Sequence, residues 1–542
     1  MIMMNVSKRK TELAAAALLA IMLVQIIYVI TSTSQVLDEQ FYPGVGKYTL
    51  TTGDFSPFAY RFHPPLAYYI NSIFLYTDNN PVWNEKPFDM ANIISVYGID
   101  NYLFLTRLPI AVMSLVLGIF IFVWARKLYG NRAALFSLVL FCFEPTIIAN
   151  SAVATTDMAA ATFIFIAMYF FWKMHIARGM KNTALAGIFL GLALLSKFTA
   201  LILLPVAFFM ILYLFRKNRI KTIIIYFVAA FFLIWMFYGF QIATINSTVH
   251  STGKSQEFIN EAFSGSEKAT INSFMNVPLP AASYFTALGY NVYHSFVGHG
   301  AYLFGQYSMH GWFYYYILAF AVKAAIPLML LIAIFAIFSI VGKMKFSSEE
   351  KFILLAILVF FVFLSLLKLN IGLRHLLPIY PFVFVILGKL LKVKISRKNI
   401  YYAVLALLSI WVVAEALLIM PYNMSYFNEF VGPKNGYKYL SDPDVDWGQW
   451  LKYAASYEKE KNITSIYMTA PLPDALTKQY IVDYTRPSCS PKNGIYFVSV
   501  SSLILYDHFN DPSNCLQWLR DRTYQDMIGY SVLVYNVTDT SI

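Results

Sequence analysis

Asp38 and Glu39 stand side by side just beyond the first long apolar stretch of the chain. A carboxylate at a membrane edge can serve as general base towards a lipid-borne substrate, and an acidic neighbour can orient or tune it. The ordinary alternative for both is a solvated loop carboxylate. Further on, Phe62-His63-Pro64-Pro65-Leu66 sets a histidine beside two backbone-stiffening prolines. Its imidazole can donate to a phosphate or simply pack in a turn. Arg107, Lys197 and the pair Arg374-His375 fall near the ends or polar breaks of apolar stretches. A lone cation there anchors a headgroup, whereas several converging from separate spans make a phosphate site. Asp157 closes Ala154-Thr155-Thr156-Asp157. Three uses are open to it: capping the next helix, pairing with a cation, or helping to hold a divalent metal ion. Lys323 lies inside an apolar stretch, where an ionisable group marks function by default.

Two patterns are discounted. Asp442-Pro443-Asp444 has the D-x-D spacing of nucleotide-sugar enzymes, but Asp446-Trp447-Gly448-Gln449 follows with the spacing of a capping box, so the run reads as a helix start. His294, His299 and His310 have spacing and aromatic surroundings that fit no compact zinc set.

The elements that position these residues follow from composition. Of 542 residues, 58% are hydrophobic and 13% charged, about half the usual charged share. A mainly α, polytopic membrane helix bundle is implied. Apolar stretches occupy residues 13–30, 103–125, 133–149, 158–172, 184–215, 222–243, 312–341, 352–367, 376–391 and 400–420. Residues 184–215 overrun a hydrocarbon core of ~30 Å at ~1.5 Å per residue. With Ser196-Lys197 at the centre and basic residues on both flanks, the stretch reads as two short helices meeting near Lys197. That makes about eleven spans. It also gathers the basic loops on the cytoplasmic side with the N-terminus, as the positive-inside rule expects. The net charge of +12 follows from this asymmetry and is not a nucleic-acid signal.

All the site candidates then face outward, together with loops 31–102 and 244–311. Residues 1–420 form the transmembrane part, and residues 421–542 read as a small outward α/β domain. Within it a helix is expected over 445–459, strands over 465–468, 495–500 and 531–535, and a short helix over 516–520. Cys489 and Cys515 are placed to form a disulfide on an oxidising face, and the sequons at Asn246, Asn423, Asn462 and Asn536 fall on the same side.

These pieces together resemble a known family. The acidic pair, the HPPL turn, TRLPIAV around Arg107, ATTD at Asp157 and LLSKFTALILLP occur in order. AYLFGQYSMHGWFYYYILAFAVKAAIP, NIGLRHLLPIYPF and YFNEFVGPKNGYKYLSDPDVDWGQWL continue the likeness over nearly the whole chain. It is similar to the C-type, multi-pass glycosyltransferases, in the dolichyl-phosphate-mannose protein mannosyltransferase-like branch. The resemblance implies inverting transfer of a sugar, a hexose such as mannose, from a polyprenyl-phosphate donor to an acceptor hydroxyl on a protein, lipid or glycan. It makes Asp38 the catalytic base and Glu39 its acidic neighbour. His63 takes the place where related aminoarabinose transferases carry a lysine beside the donor phosphate. Arg107 and Arg374 would stabilise that phosphate, with Lys197 and His375 adding to the cationic set. Asp157 matches the acid that helps bind a metal in relatives such as oligosaccharyltransferases. The chain departs from the family in lacking the inserted β-trefoil of eukaryotic protein mannosyltransferases, and in having histidine for lysine at position 63. A transporter or flippase of lipid-linked sugars is the alternative, although inverted repeats and midplane sites are not evident.

Overall fold

The computed structural model describes residues 8–59, 63–75, 94, 97–249, 273, 275–441, 443–506, 516–520 and 522–539. The chain divides into two compact units. One comprises residues 1–40, 90–153 and 298–542, the other residues 41–89 and 154–297. Both are mainly helical, and the chain is a multi-pass membrane protein. Among the described residues, Lys8–Ser32, Ile99–Tyr129, Asp157–Ile176, Arg219–Phe237 and Lys398–Ile419 are each long and apolar enough to cross a bilayer. Two further pairs qualify if each counts as one bent span: Asn131–Cys142 with Pro145–Ser151 at 64°, and Tyr315–Lys323 with Ile326–Ile340 at 119°. Several stretches that read as continuous in the sequence are therefore interrupted. Each bend has a proline in the first turn of its second half, where the missing N–H costs least.

In the second unit the stretch over 184–215 breaks at Lys197. Helix Met180–Ser196 ends there on extended backbone (φ −162°, ψ 145°), and a 3₁₀ turn, Phe198–Ile202, leads into helix Leu203–Leu214. Gly187 and Gly191 let Met180–Ser196 lie directly on Arg219–Phe237. A Cβ at these positions would meet Tyr226 O at 2.3 Å and Ala230 O at 2.9 Å. The contact pairs 187–226 and 191–230 advance together, so the two helices run parallel and the chain between them must return. It does so: the Arg178 guanidinium donates to Leu214 O at 3.1 Å, bringing the end of the second short helix back beside the start of the first. The Lys197 break and the basic turns are thus at opposite ends, roughly 26 Å apart along the helix.

The first unit shows the same polarity. Helix Ile99–Tyr129 has Arg107 near its start and Arg126 and Lys127 in its last turn. Arg126 pairs with Glu12 at 3.1 Å and Lys127 with Glu349 at 2.9 Å, while Lys389 pairs with Glu350. Ser347 and Glu350 close a capping box at the start of Ser348–Leu366, so this end is stapled by charge and capping together. Arg107 lies nineteen residues earlier than Arg126, or roughly 28 Å along the axis, close to the ~30 Å of a hydrocarbon core.

Beyond the helices, a five-stranded sheet has the order Tyr484–Thr485, Ile466–Thr469, Gly494–Ser499, Val532–Val537, Asp526–Ile528. Ile466–Thr469 is parallel to both its neighbours, and Val532–Val537 is antiparallel to both of its own. Three of these strands and the short helix Gln517–Arg520 lie within two residues of where the sequence places them. The helix expected from residue 445 begins only at Leu451 and runs to Glu460, because residues 445–450 are used elsewhere. Cys489 is disulfide-bonded, its expected partner Cys515 lies outside the described residues, and Cys142 is a buried free thiol.

Candidate active site

The adjacent acids have opposite fates. Both belong to the 3₁₀ turn Leu37–Gln40 that follows helix Lys8–Ser32. Glu39 turns inward to meet Arg107 in a two-pronged pair, with Nε to Oε1 and Nη2 to Oε2 both at 2.7 Å. Both side chains are 0% exposed. Arg107 gives its other hydrogens to Ile30 O, Thr33 O, Thr33 Oγ1 and Ser34 O. Glu39 also accepts the Val36 N–H at 2.9 Å. Every guanidinium donor is therefore taken by the protein, and Arg107 is not presented to a phosphate as its position suggested. Likewise Glu39 is not presented to an acceptor. The pair fastens the turn after helix Lys8–Ser32 to the start of helix Ile99–Tyr129, and removing one partner of such a buried pair typically costs about 3–5 kcal/mol.

Asp38 points the other way. Its side chain remains 23% exposed, and Oδ2 lies 3.0 Å from Arg374 Nη1. The Arg374 guanidinium lies over the Trp447 ring at 4.3 Å from its centroid, and its Nε donates to Ile371 O. Trp447 in turn packs on Val36 and Val153. Backbone bonds run between the two segments: Ser34 N to Gln449 O and Leu37 N to Trp447 O, each 3.0 Å. Ser34 Oγ donates to Gly448 O and accepts from Leu451 N. Gly448 is at φ +100°, and a Cβ there would meet Gln35 O at 3.1 Å, so both its conformation and its close approach call for glycine.

Asp446 is consequently not a helix cap. The helix begins at Leu451 with no side-chain cap, and the buried Asp446 carboxylate is spent on four donors. Oδ1 accepts from Trp450 Nε1 at 2.7 Å and Gly448 N at 3.2 Å, and Oδ2 from Ser499 Oγ and Ser501 N. Burial still holds its carboxyl above the ordinary aspartate range, although these bonds pull it down. The sheet, through Ser499 and Ser501, thereby fixes the turn that carries Trp447.

Asp444 does a comparable task for Arg374. Its Oδ1 accepts the Leu373 N–H at 2.9 Å, and Oδ2 accepts from Tyr315 Oη at 3.3 Å. Lys323, at the 119° bend, donates to Met424 O at 2.9 Å and to Asp444 O, with its ammonium 3.7 Å from the Asp444 carboxylate. Asp444 and Lys323 thus hold the turn Leu373–Leu376 in place, with His375 buried on it beside Arg374. Asp442, the other acid of the D-x-D triplet, lies outside the described residues. A cleft of about 20 Å³ opens among Arg374, Lys323, Asp444, Trp447 and Asn423, enough for about one water. Asn423 is buried with neither side-chain amide atom hydrogen-bonded, so this cleft has an amide donor and acceptor still to be satisfied.

In the second unit, Asp157 and Lys197 find each other. Lys197 Nζ lies 2.6 Å from Asp157 Oδ1, both side chains are buried, and Thr155 Oγ1 donates to Oδ2 at 3.3 Å. Of the three uses open to Asp157, the structure supplies the cation partner. The helix cap is Thr156, and no side chain caps the helix. A lysine ammonium on the carboxylate does not fit a divalent metal site, and among the described residues no three His, Cys, Asp or Glu side chains gather to make one. Lys197, paired and buried, is likewise not turned to a ligand. His63 is half-buried, with its backbone N–H on Tyr68 Oη at 3.1 Å and its ring 6.2 Å from Phe198. Asp38 and Arg374 are thus brought together in one unit, and Asp157 and Lys197 in the other. Sequence reasoning missed Trp447, Asp444 and Asn423; the one available signal was the clustering of acids in the D-x-D run, which imitates a helix start.

Residues 93–238 match the dolichyl-phosphate-mannose-protein mannosyltransferase family. No curated protein matches the sequence. Among solved structures, ArnT from Cupriavidus metallidurans bound to undecaprenyl phosphate is similar at 12% identity and a TM-score of 0.48, over 96% of this chain and 97% of that one. The Archaeoglobus fulgidus oligosaccharyltransferase tethered to an acceptor peptide is similar at 14% identity and a TM-score of 0.44, over 87% of this chain and 64% of that one. The same enzyme with zinc and sulfate gives 12% identity and 0.40, over 90% and 68%. Over residues 93–238 the chain is similar to the dolichyl-phosphate-mannose-protein mannosyltransferases, the branch of the C-type glycosyltransferases that its ordered motifs resemble.

Proposed function

We propose that this chain is a membrane glycosyltransferase that moves a sugar, a hexose such as mannose, from a polyprenyl-phosphate donor to an acceptor hydroxyl on a protein, lipid or glycan at the outer membrane face. The observation that carries the reading is the partly exposed Asp38 carboxylate held 3.0 Å from Arg374 beside a cleft with an unsatisfied amide. The acceptor oxygen attacks the anomeric carbon while the bond to the phosphate oxygen breaks, inverting the centre. The hydroxyl proton passes to Asp38, and the electron pair leaves with the polyprenyl phosphate, whose charge Arg374 stabilises. Arg374 is partly exposed and stacked, so it can turn donors towards a phosphate without leaving Trp447. Since the sugar arrives already joined to its phosphate, the step needs no nucleotide.

Orientation is supported by charge. In the first unit the Asp38–Arg374 pair and the basic, capped end are separated by about one hydrocarbon thickness, and in the second unit Lys197 and the basic turns are separated likewise. Basic ends belong in the cytoplasm, which turns Asp38 outward and takes residues 421–542 with it. Purified protein in detergent, given a labelled polyprenyl-phosphate hexose and a membrane extract, is expected to glycosylate a component detectable by mass spectrometry. Movement of the lipid-linked sugar only in sealed vesicles, with no product in detergent, would replace this reading with a transporter.

A further inference from the structure

A second cleft, of about 420 Å³, shares no lining residue with the one at Arg374. One wall is the hairpin Ala301–Leu303 and Gln306–Ser308, turned by Phe304 (φ 49°) and Gly305 (φ 83°). Two successive left-handed residues make the tight turn that suits strand twist, although a phenylalanine there is strained. What holds it is the turn Pro433–Lys438 and its continuation. Phe304 N donates to Tyr439 O at 2.8 Å, the two rings meet edge to face at 4.9 Å, and Tyr302 Oη donates to Lys438 O at 3.2 Å. The facing wall comes from the sheet: Tyr535 on strand Val532–Val537, with Tyr524 edge-on to it at 6.5 Å.

The chemistry of the lining is specific. Tyr302, Tyr437, Tyr524 and Tyr535 line it with aromatic side chains, Tyr524 exposed and Tyr535 almost wholly buried. Burial pushes the phenols of Tyr437 and Tyr535 up, so they stay protonated at neutral pH, while the Tyr302 hydroxyl hydrogen is spent on Lys438 O. Lys438, Arg520 and Arg522 supply three positive charges, and no carboxylate lines the cleft among the described residues. Arg520 is braced by two bonds to Leu503 O, and Arg522 lies 5.5 Å over the Trp518 ring. Leu503 and Leu533 complete an apolar floor.

Tyrosine faces pack on the C–H faces of sugar rings while their hydroxyls bond to sugar hydroxyls, and braced guanidinium groups favour carboxylate or phosphate. The volume lies within the ~300–1,000 Å³ of small-molecule sites. We infer that this cleft binds an anionic saccharide, a sugar bearing a carboxylate or a phosphate, as the recognised portion of the acceptor. Only the word acceptor rests on the transferase reading; the binding itself does not.

Calorimetric titration of the full chain in detergent tests it, using a uronic-acid disaccharide, a hexose phosphate, a neutral disaccharide and an acidic peptide. One or both acidic sugars are expected to bind, and which of them does so identifies the anion. Lys438→Glu and Tyr524→Ala, both at exposed positions, should each weaken that binding about tenfold, with melting temperature unchanged. Asp38→Asn should leave it unaltered, so a failure of the transferase reading is distinguishable from a failure of the cleft. Absence of binding by both acidic sugars, equal binding of the neutral disaccharide, tighter binding of the peptide, or indifference to Lys438→Glu would each overturn the inference.

Discussion

Two carboxylates one residue apart, each paired with an arginine, do different things because one is sealed and the other is not. Glu39 and Arg107 are wholly buried, with every Arg107 donor taken by Glu39 or by the end of the first helix, whereas Asp38 and Arg374 keep a surface open and are steadied from behind by Trp447. An ion pair with no remaining access can only hold elements together. One with residual access and a braced cation can exchange a proton and receive an anion.

The largest effect of breaking the contrast should come from the sealed pair. Arg107→Ala strands the Glu39 charge and should destabilise the protein by about 3–5 kcal/mol, read as a large fall in detergent melting temperature. A variant that melts normally would show that the pair is not a fastening.

The next effect sharpens the open pair. Asp444→Asn weakens the hold on Leu373 N and Lys323 without touching Arg374, so it should raise the donor KM about tenfold, with a smaller change in kcat. Equal loss in kcat with unchanged donor KM would remove Asp444 from the positioning of Arg374. A smaller effect is expected for Trp447→Leu, which removes a cation–π contact of about 0.5–2 kcal/mol and should cost several-fold in donor use, recovered largely by Trp447→Phe. Failure of phenylalanine to rescue would assign the loss to packing on Val36 and Val153 instead.

What could be read from the sequence was governed by local rules. The break at Lys197 was legible because an apolar run too long for one span carried a lysine at its centre and basic residues on both flanks. The strands over 466–469, 494–499 and 532–537 followed from alternation and β-branched content. Asp38 and Arg374 were both named, but that they meet across 336 positions was not legible. Nor was burial: the sequence shows that Glu39, Arg107 and Lys197 are charged, not that each is enclosed with a partner. Residues 446–449 misled for a physical reason. An aspartate three residues before a glutamine has capping-box spacing whether it caps a helix or, as here, anchors a turn to Ser499 and Ser501.

The most direct measurement is made on the two neighbours together: transfer rate and melting temperature for Asp38→Asn and Glu39→Gln, each purified in detergent. If Asp38 is the base, Asp38→Asn melts like the parent and loses transfer by about 10²–10⁴-fold, whereas Glu39→Gln loses stability first and activity only with it. Near-normal product formation by a well-folded Asp38→Asn protein would contradict the assignment.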